Sequence, residues 1–346
     1  MEMQTTTDTS PPSQRPRRGG LRRWLRDLQG WVARLFGGES LRGLLLRRLR
    51  DGVIVLLLVV TVIFFLAHVV GNPALVFAPV DATDEHIAEL HRQFGLDRPV
   101  AERYWEYLVG LAQLDFGEST FQSRPAIEAV TEALPSTIIL TVVGLGAAAV
   151  LGVVPGVVAG ARARKPFDKT SNLLSVAALS VPNFWLGLLL ILVFGVQLGW
   201  LPTSGRFETA SIVMPALTLG IVHGGRIYQL VRSATFEEMS KPYVTVARSK
   251  GLTEWNILRR HVVRNTGVTT ATIVGWEYVR MWGGAVFAIE YVFAWPGIGL
   301  LTIDAAHKHD FFVLQAAVII AGAFVIFSNL LIDMGYQFID RRIAAS

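Results

Sequence analysis

The segment Pro242–Asn265, PYVTVARSKGLTEWNILRRHVVRN, lies between two long apolar runs and is strongly cationic. Arg248, Lys250, Arg259, Arg260, His261 and Arg264 supply the charge, and Gly251 interrupts the segment just after Ala247-Arg248-Ser249-Lys250. A plain connector between membrane helices can be far shorter. Helix-forming residues on both sides of a glycine predict helix–turn–helix rather than open loop. Basic residues beside apolar spans mark the cytoplasmic side. The segment therefore reads as a cytoplasmic docking surface. Gly251 permits the sharp turn, and Arg248 and Lys250 are expected to meet acidic or carbonyl groups of a partner.

The flanking runs settle the class. Of 346 residues, 52% are hydrophobic and 17% charged, against about 25% charged in soluble domains. A spanning helix needs about 20 apolar residues, and six runs qualify, at about 53–70, 136–159, 172–196, 212–230, 268–293 and 312–336. The expected fold is an all-α integral membrane protein with six transmembrane helices. Pro155, Pro182 and Pro215 fall in or beside these runs, where neighbouring helices can re-satisfy freed carbonyls. Of 32 lysines and arginines, 25 lie in segments assigned to the inside, six in outside loops, and Arg280 alone within a span. That asymmetry places both termini in the cytoplasm. It also accounts for the net charge of +5 without nucleic acid. The lack of cysteine excludes disulfides and thiolate chemistry.

The chain divides at about residue 50. Residues 1–20 lack an apolar period and are expected to be disordered. Leu21, Trp24, Leu25, Leu28, Trp31, Val32 and Leu35 then recur opposite Arg22, Arg23, Arg26 and Arg34, a pattern for a helix lying on anionic lipid, with a partner-binding helix as the alternative. The first apolar run is too long for a signal-peptide core and no small-x-small cleavage site follows it. Residues 51–346 form the membrane domain. Within it, 71–132 is an external cap with nine acids from Asp81 to Glu118 and a helix expected over Thr83–Phe94, and 232–267 is the cytoplasmic loop.

With that loop placed between spans four and five, the chain resembles a bacterial ABC-transporter permease of the dipeptide/oligopeptide/nickel importer family over about residues 50–343. The marks occur in family order. Gly95-Leu96-Asp97-Arg98-Pro99 and Asp115-Phe116-Gly117-Glu118-Ser119 lie in the cap, and Leu134-Pro135-Ser136-Thr137 opens span two. Ser180-Val181-Pro182-Asn183-Phe184-Trp185 lies in span three and Gly199-Trp200-Leu201-Pro202-Thr203-Ser204-Gly205 follows it. Ala247-Arg248-Ser249-Lys250-Gly251-Leu252 is similar to the family's cytoplasmic EAA-type loop, with Thr245-Val246-Ala247 in place of Glu-Ala-Ala. Trp295-Pro296-Gly297-Ile298-Gly299 closes span five. The cap signatures resemble the B-type member of the two non-identical permeases.

The resemblance implies a type I ABC importer permease, multi-pass in the bacterial plasma (inner) membrane and non-catalytic. Its implied partners are a second homologous permease, two ABC ATPase subunits that bind ATP and Mg, and an extracytoplasmic substrate-binding protein delivering di- or oligopeptides. The implied coupling residues are Tyr243, Ala247, Arg248, Lys250, Gly251, Leu252, Arg260, His261, Arg264 and Asn265. The residues themselves agree on one point: the chain has no G-x-x-x-x-G-K-[ST] phosphate loop, so it is expected to bind no cofactor of its own.

Three acids and bases stand out as candidates for the translocation path: Glu277, Arg280 and Glu290. Glu277 and Arg280 are spaced i,i+3 on one helical face and can pair, either as a structural lock or lining water. His307-Lys308-His309-Asp310 is read as solvated rather than metal-binding, and His68 and His223 as hydrogen-bonded packing. Gly283-Gly284 and Gly144/Gly146 are expected to permit close helix contact. Import of nickel, an oligosaccharide or another small solute remains open. So do a membrane-embedded enzyme using Glu277, Arg280 and His223, and a stand-alone channel or secondary transporter.

Overall fold

The computed structural model describes residues 41–66, 97–206 and 208–339, with Thr83, Glu85, Glu89 and Arg92, leaving aside the side chains of 41, 42, 44, 45 and 336–339. The expected disordered tail and interfacial helix, and most of the helix expected over Thr83–Phe94, lie outside these residues. The chain divides between Asp51 and Gly52 into two compact units. In the first, the described residues form one helical stretch with Arg50 paired to Asp51. The second, Gly52–Ser346, carries all the packing described below.

Helix α1 covers Leu41–Phe65, α2 Val100–Ala112 and α3 Ala126–Ala161. Then come α4 (Pro166–Ser180) and α5 (Asn183–Leu190), the latter running into a π-helical turn, Ile191–Gln197. Next are α6 (Val213–Met239), α7 (Pro242–Ser249), α8 (Glu254–Ile257) and α9 (Val263–Arg280). The chain ends with α10 (Val286–Val292), α11 (Ile298–His307) and α12 (Phe311–Ile339).

Among the described residues, three stretches are long and apolar enough to cross a membrane alone: α3, Thr209–Met239 and Phe311–Gly335. These match spans two, four and six. Span three is not one rod, because α4 and the helix after it meet at 103°. The cause is Pro182, which has no N–H and drives Val181 out of the helical region to φ −95°, ψ 127°. Pro135 and Pro155, by contrast, ride inside α3. Span five breaks at Gly284, whose φ of +110° no helix accommodates. The sequence reading expected this glycine pair to admit a neighbouring helix, but nothing lies within 4 Å of where either Cβ would stand. Span one begins in α1, and its last residues fall outside those described.

The tightest packing joins α3 to α6. Gly144, Ala148, Gly152, Gly156 and Gly160 recur every four residues and are all buried, so they form one stripe on α3. A Cβ on Gly152 would lie 2.7 Å from the Gly224 carbonyl oxygen, and one on Gly160 would lie 2.6 Å from that of Arg232. The absence of side chains is what lets the two backbones touch. Gly144 joins this contact against Leu219, whereas Gly146 faces open space. At the start of α4, Asp168, 3% exposed, accepts from Arg232 of α6 through both guanidinium edges, with Arg232 Nη2 at 2.8 Å.

The cap is pinned by its motif. Gly117, at φ +79°, brings the chain against the Phe312 ring. Ser119 Oγ donates to the buried Asp310 Oδ2 at 2.5 Å. Asp310 of the His307–Asp310 loop is therefore committed inward, and among the described residues no group of three potential metal ligands converges.

Candidate functional site

Two constellations emerge, both built on α6. The first surrounds Glu277 on α9, which is 1% exposed. Its Oε2 lies 2.9 Å from His223 Nδ1, with donor and acceptor set by the tautomer. Its Oε1 accepts from Arg280 Nη1 at 3.3 Å and stands 3.8 Å from Arg226 Nε. Glu277 and Arg280 thus pair as their spacing suggested. Tertiary structure adds His223 and Arg226, themselves an i,i+3 pair on α6. An unpaired buried charge is strongly destabilising, so the cluster explains how Glu277 is tolerated at 1% exposure. The sequence reading counted Arg226 among the inside charges, at the end of span four. In the structure α6 continues to Met239, with roughly 20 Å of helix between Arg226 and that end.

Glu290 stands apart from that cluster. It is fully buried, and its Oε2 accepts from the Gly299 backbone N–H at 2.6 Å. A Cβ on Gly297 would stand 2.1 Å from Glu290 Oε1. Trp295 Nε1 donates to the Ser136 carbonyl at 3.0 Å, and Ile298 N–H donates to Thr137 Oγ1 at 2.8 Å. The Trp295–Gly299 motif is thus a clasp between α10, α11 and α3. Glu290, named among the path candidates, is buried in this chain and bonded within that clasp.

The second constellation is Pro242–Asn265. As the glycine suggested, α7 and α8 flank a turn at Gly251, whose φ is +81°. Thr253 Oγ1 caps α8 by accepting from Asn256 N–H at 3.4 Å. Val244, Ala247, Ile257, Leu258 and Val262 pack with Met239 into a small core. Below it Glu238 gathers three donors: Lys241 Nζ at 2.6 Å, Tyr243 Oη at 2.9 Å and Asn265 Nδ2 at 3.0 Å. Tyr243 therefore fastens α7, and Asn265 the start of α9, to the end of α6. Arg248 is engaged within the chain, its Nε donating to Glu254 Oε1 at 2.6 Å across the turn. That contact holds the Glu254 carboxyl below its ordinary range. The sequence reading had aimed Arg248 at a partner.

The outer face of the pair presents Val246 and Trp255, 52% and 64% exposed, among Lys250, Leu252, Arg260, His261 and Arg264, all exposed. Periodicity over so short a helix had given no reason to single out Val246 or Trp255. Glu238, the other residue missed, looks in sequence like any acid at a helix end.

Comparison with known proteins places the chain. Residues 152–345 match the family described as binding-protein-dependent transport system inner membrane component, and residues 41–141 match its N-terminal companion. The glutathione transport system permease protein GsiC of Salmonella choleraesuis is 33% identical over 299 residues, covering 86% of this chain and 97% of that protein. The GsiC of Escherichia coli K12 is 33% identical over 294 residues, covering 84% and 96%. Among solved structures, an inward-facing form of the MetNI methionine ABC transporter aligns at a TM-score of 0.53 and 16% identity, covering 61% of this chain and 96% of the other. That likeness bears on fold alone. The chain belongs to the family of binding-protein-dependent transport system inner membrane components, and it is a permease subunit of an ABC importer.

Proposed function

We propose that this permease carries di- and oligopeptides, received from an extracytoplasmic binding protein, through a path shared with a second homologous permease. Two separate ATPase subunits bind ATP and Mg and dock on α7 and α8. The observation that carries the docking role is the construction of the helix pair. Its first helix is fastened to α6 through Tyr243 and Glu238, yet the pair leaves Val246 and Trp255 exposed. Exposed aromatic and aliphatic groups inside a basic rim suit a partner cleft. Motion imposed there passes directly into α6, which also carries His223 and Arg226. Closure of the ATPase pair would rotate α6 as a rigid body.

The peptide cargo is supported by the glutathione permeases among the relatives. The enzyme reading gains the proximity of Glu277, Arg280 and His223 but loses access: the side chains of Glu277 and His223 are 2% and 9% exposed. The docking role is tested with Val246→Glu combined with Trp255→Glu. Both side chains are exposed, so the variant is expected to insert and to co-purify with the second permease. It should lose ATPase association and at least about tenfold of peptide uptake into proteoliposomes, as removal of interface anchors does. Wild-type uptake with bound ATPase would refute the docking role.

A further inference from the structure

We propose that Arg226 and Arg280, oriented by Glu277, form a station on the translocation path that takes the carboxylate of the solute in transit, an inference that rests on the peptide cargo proposed above.

The first argument is charge. Glu277 supplies one carboxylate to two guanidinium groups, and both meet the same oxygen, Oε1, while Oε2 is occupied by His223. Each guanidinium carries five N–H donors in a rigid fork. Among the described residues, Glu277 is the acceptor that Arg226 and Arg280 reach. Most of their donors are thus left over, in a cluster whose net charge is positive.

The second argument is exposure. Glu277 is sealed, but the side chains of Arg226 and Arg280 are 49% and 48% exposed. Arg226 lies in the membrane-crossing stretch Thr209–Met239, where a half-exposed guanidinium group cannot face hydrocarbon, and Arg280 shares its carboxylate. They face water or another protein chain.

The third argument, independent of charge, comes from the backbone. Arg280 is the last residue of α9, and three residues later the helix breaks at Gly283 (φ −73°, ψ 27°) and Gly284 (φ +110°). Both glycines are exposed, with nothing within 4 Å of either Cβ position. Irregular backbone inside a membrane is tolerated where it is buried in protein or lines a water-filled cavity, and among the described residues nothing buries it. The break thus follows Arg280 within four residues, on a part of the chain that the described residues leave uncovered. A carboxylate suits the two arginines because it accepts parallel hydrogen bonds from a guanidinium fork. Glu277 keeps the station from holding its cargo too tightly, since it competes for the same donors.

The test uses the complete complex in proteoliposomes with its binding protein. The probes are glutathione and its derivative with both carboxyl groups amidated. The binding protein is the same throughout, so a change in discrimination between variants belongs to the permease. Arg226→Gln with Arg280→Gln is expected to cut glutathione uptake at least about tenfold, the scale of losing a charge-assisted hydrogen bond. Uptake of the amidated form and binding-protein-stimulated ATP hydrolysis should change less than about twofold on the same scale. Arg226→Lys with Arg280→Lys keeps the pairing with Glu277 and should restore part of the preference for the acid. An equal fall for both probes, with lower complex yield, would make the arginines a structural link to the second permease and overturn the proposal. Undiminished glutathione uptake would overturn it as well. A wild-type complex that carries neither probe would refute the peptide cargo instead.

Discussion

Two alanine substitutions in one helix isolate what the α3–α6 contact contributes. Gly152 and Gly146 both lie in α3. Replacing either with alanine brings nearly the same gain in helix propensity, about 1 kcal/mol, and nearly the same change in the unfolded chain. Their difference is therefore a packing energy. At Gly146 a new Cβ meets nothing within 4 Å. At Gly152 it would stand 2.6 Å from Ile227 Cβ and 2.7 Å from the Gly224 carbonyl oxygen. Ordinary carbon contacts lie near 3.5–4.0 Å, so the helices must part by about 1 Å. One of the opposing atoms is backbone and cannot swing aside. Overpacking of this kind costs about 1–3 kcal/mol, so Gly152→Ala should be less stable than Gly146→Ala by that amount. At about 2–4 °C per kcal/mol for a chain of this size, thermal unfolding of the detergent-solubilised chain resolves the difference. Coincident midpoints for the two variants would refute the close contact of α3 and α6.

At the outer clasp, Gly297→Ala places a methyl group 2.1 Å from Glu290 Oε1. It should lower stability by about 1–3 kcal/mol, and adding Glu290→Ala should recover part of the loss, a coupling that a double-mutant cycle on thermal midpoints reads directly. Removal of the Arg248–Glu254 pair should matter little to folding. Both side chains are well exposed, 46% and 62%, so Arg248→Ala should cost less than about 1 kcal/mol. The pH dependence follows from the depressed Glu254 carboxyl. The pair's contribution is fully present above the ordinary glutamate value of about 4.3 and lost as pH falls through the lowered folded value. The small difference between wild type and Arg248→Ala should therefore vanish in acid, and a difference that grows below pH 4 would contradict this assignment.

Much of this protein is written in one-dimensional pattern. Apolar run length, arginine placement and the order of short motifs identify a membrane permease, because hydrocarbon thickness and the cost of charge in lipid act on composition directly. The glycine at 251 announces its turn, since an exposed left-handed position inside a helical stretch favours glycine. The sequence reading picked out Gly144 with Gly146 and passed over the four-residue spacing from Gly144 to Gly160 that makes the contact stripe. What that stripe meets was not legible either, because a stripe names no partner. The breaks at Pro182 and Gly284 fall where sequence suggests tolerance, and whether a proline or glycine bends a helix depends on what packs around it. Tertiary structure alone decided the roles of the charges. Glu277 met His223 and Arg226 across 54 and 51 positions of sequence, Glu290 turned into a clasp, and Arg248 closed its own turn. Electrostatic pairing depends on distances of a few ångströms in space, and separation along the chain carries no such information.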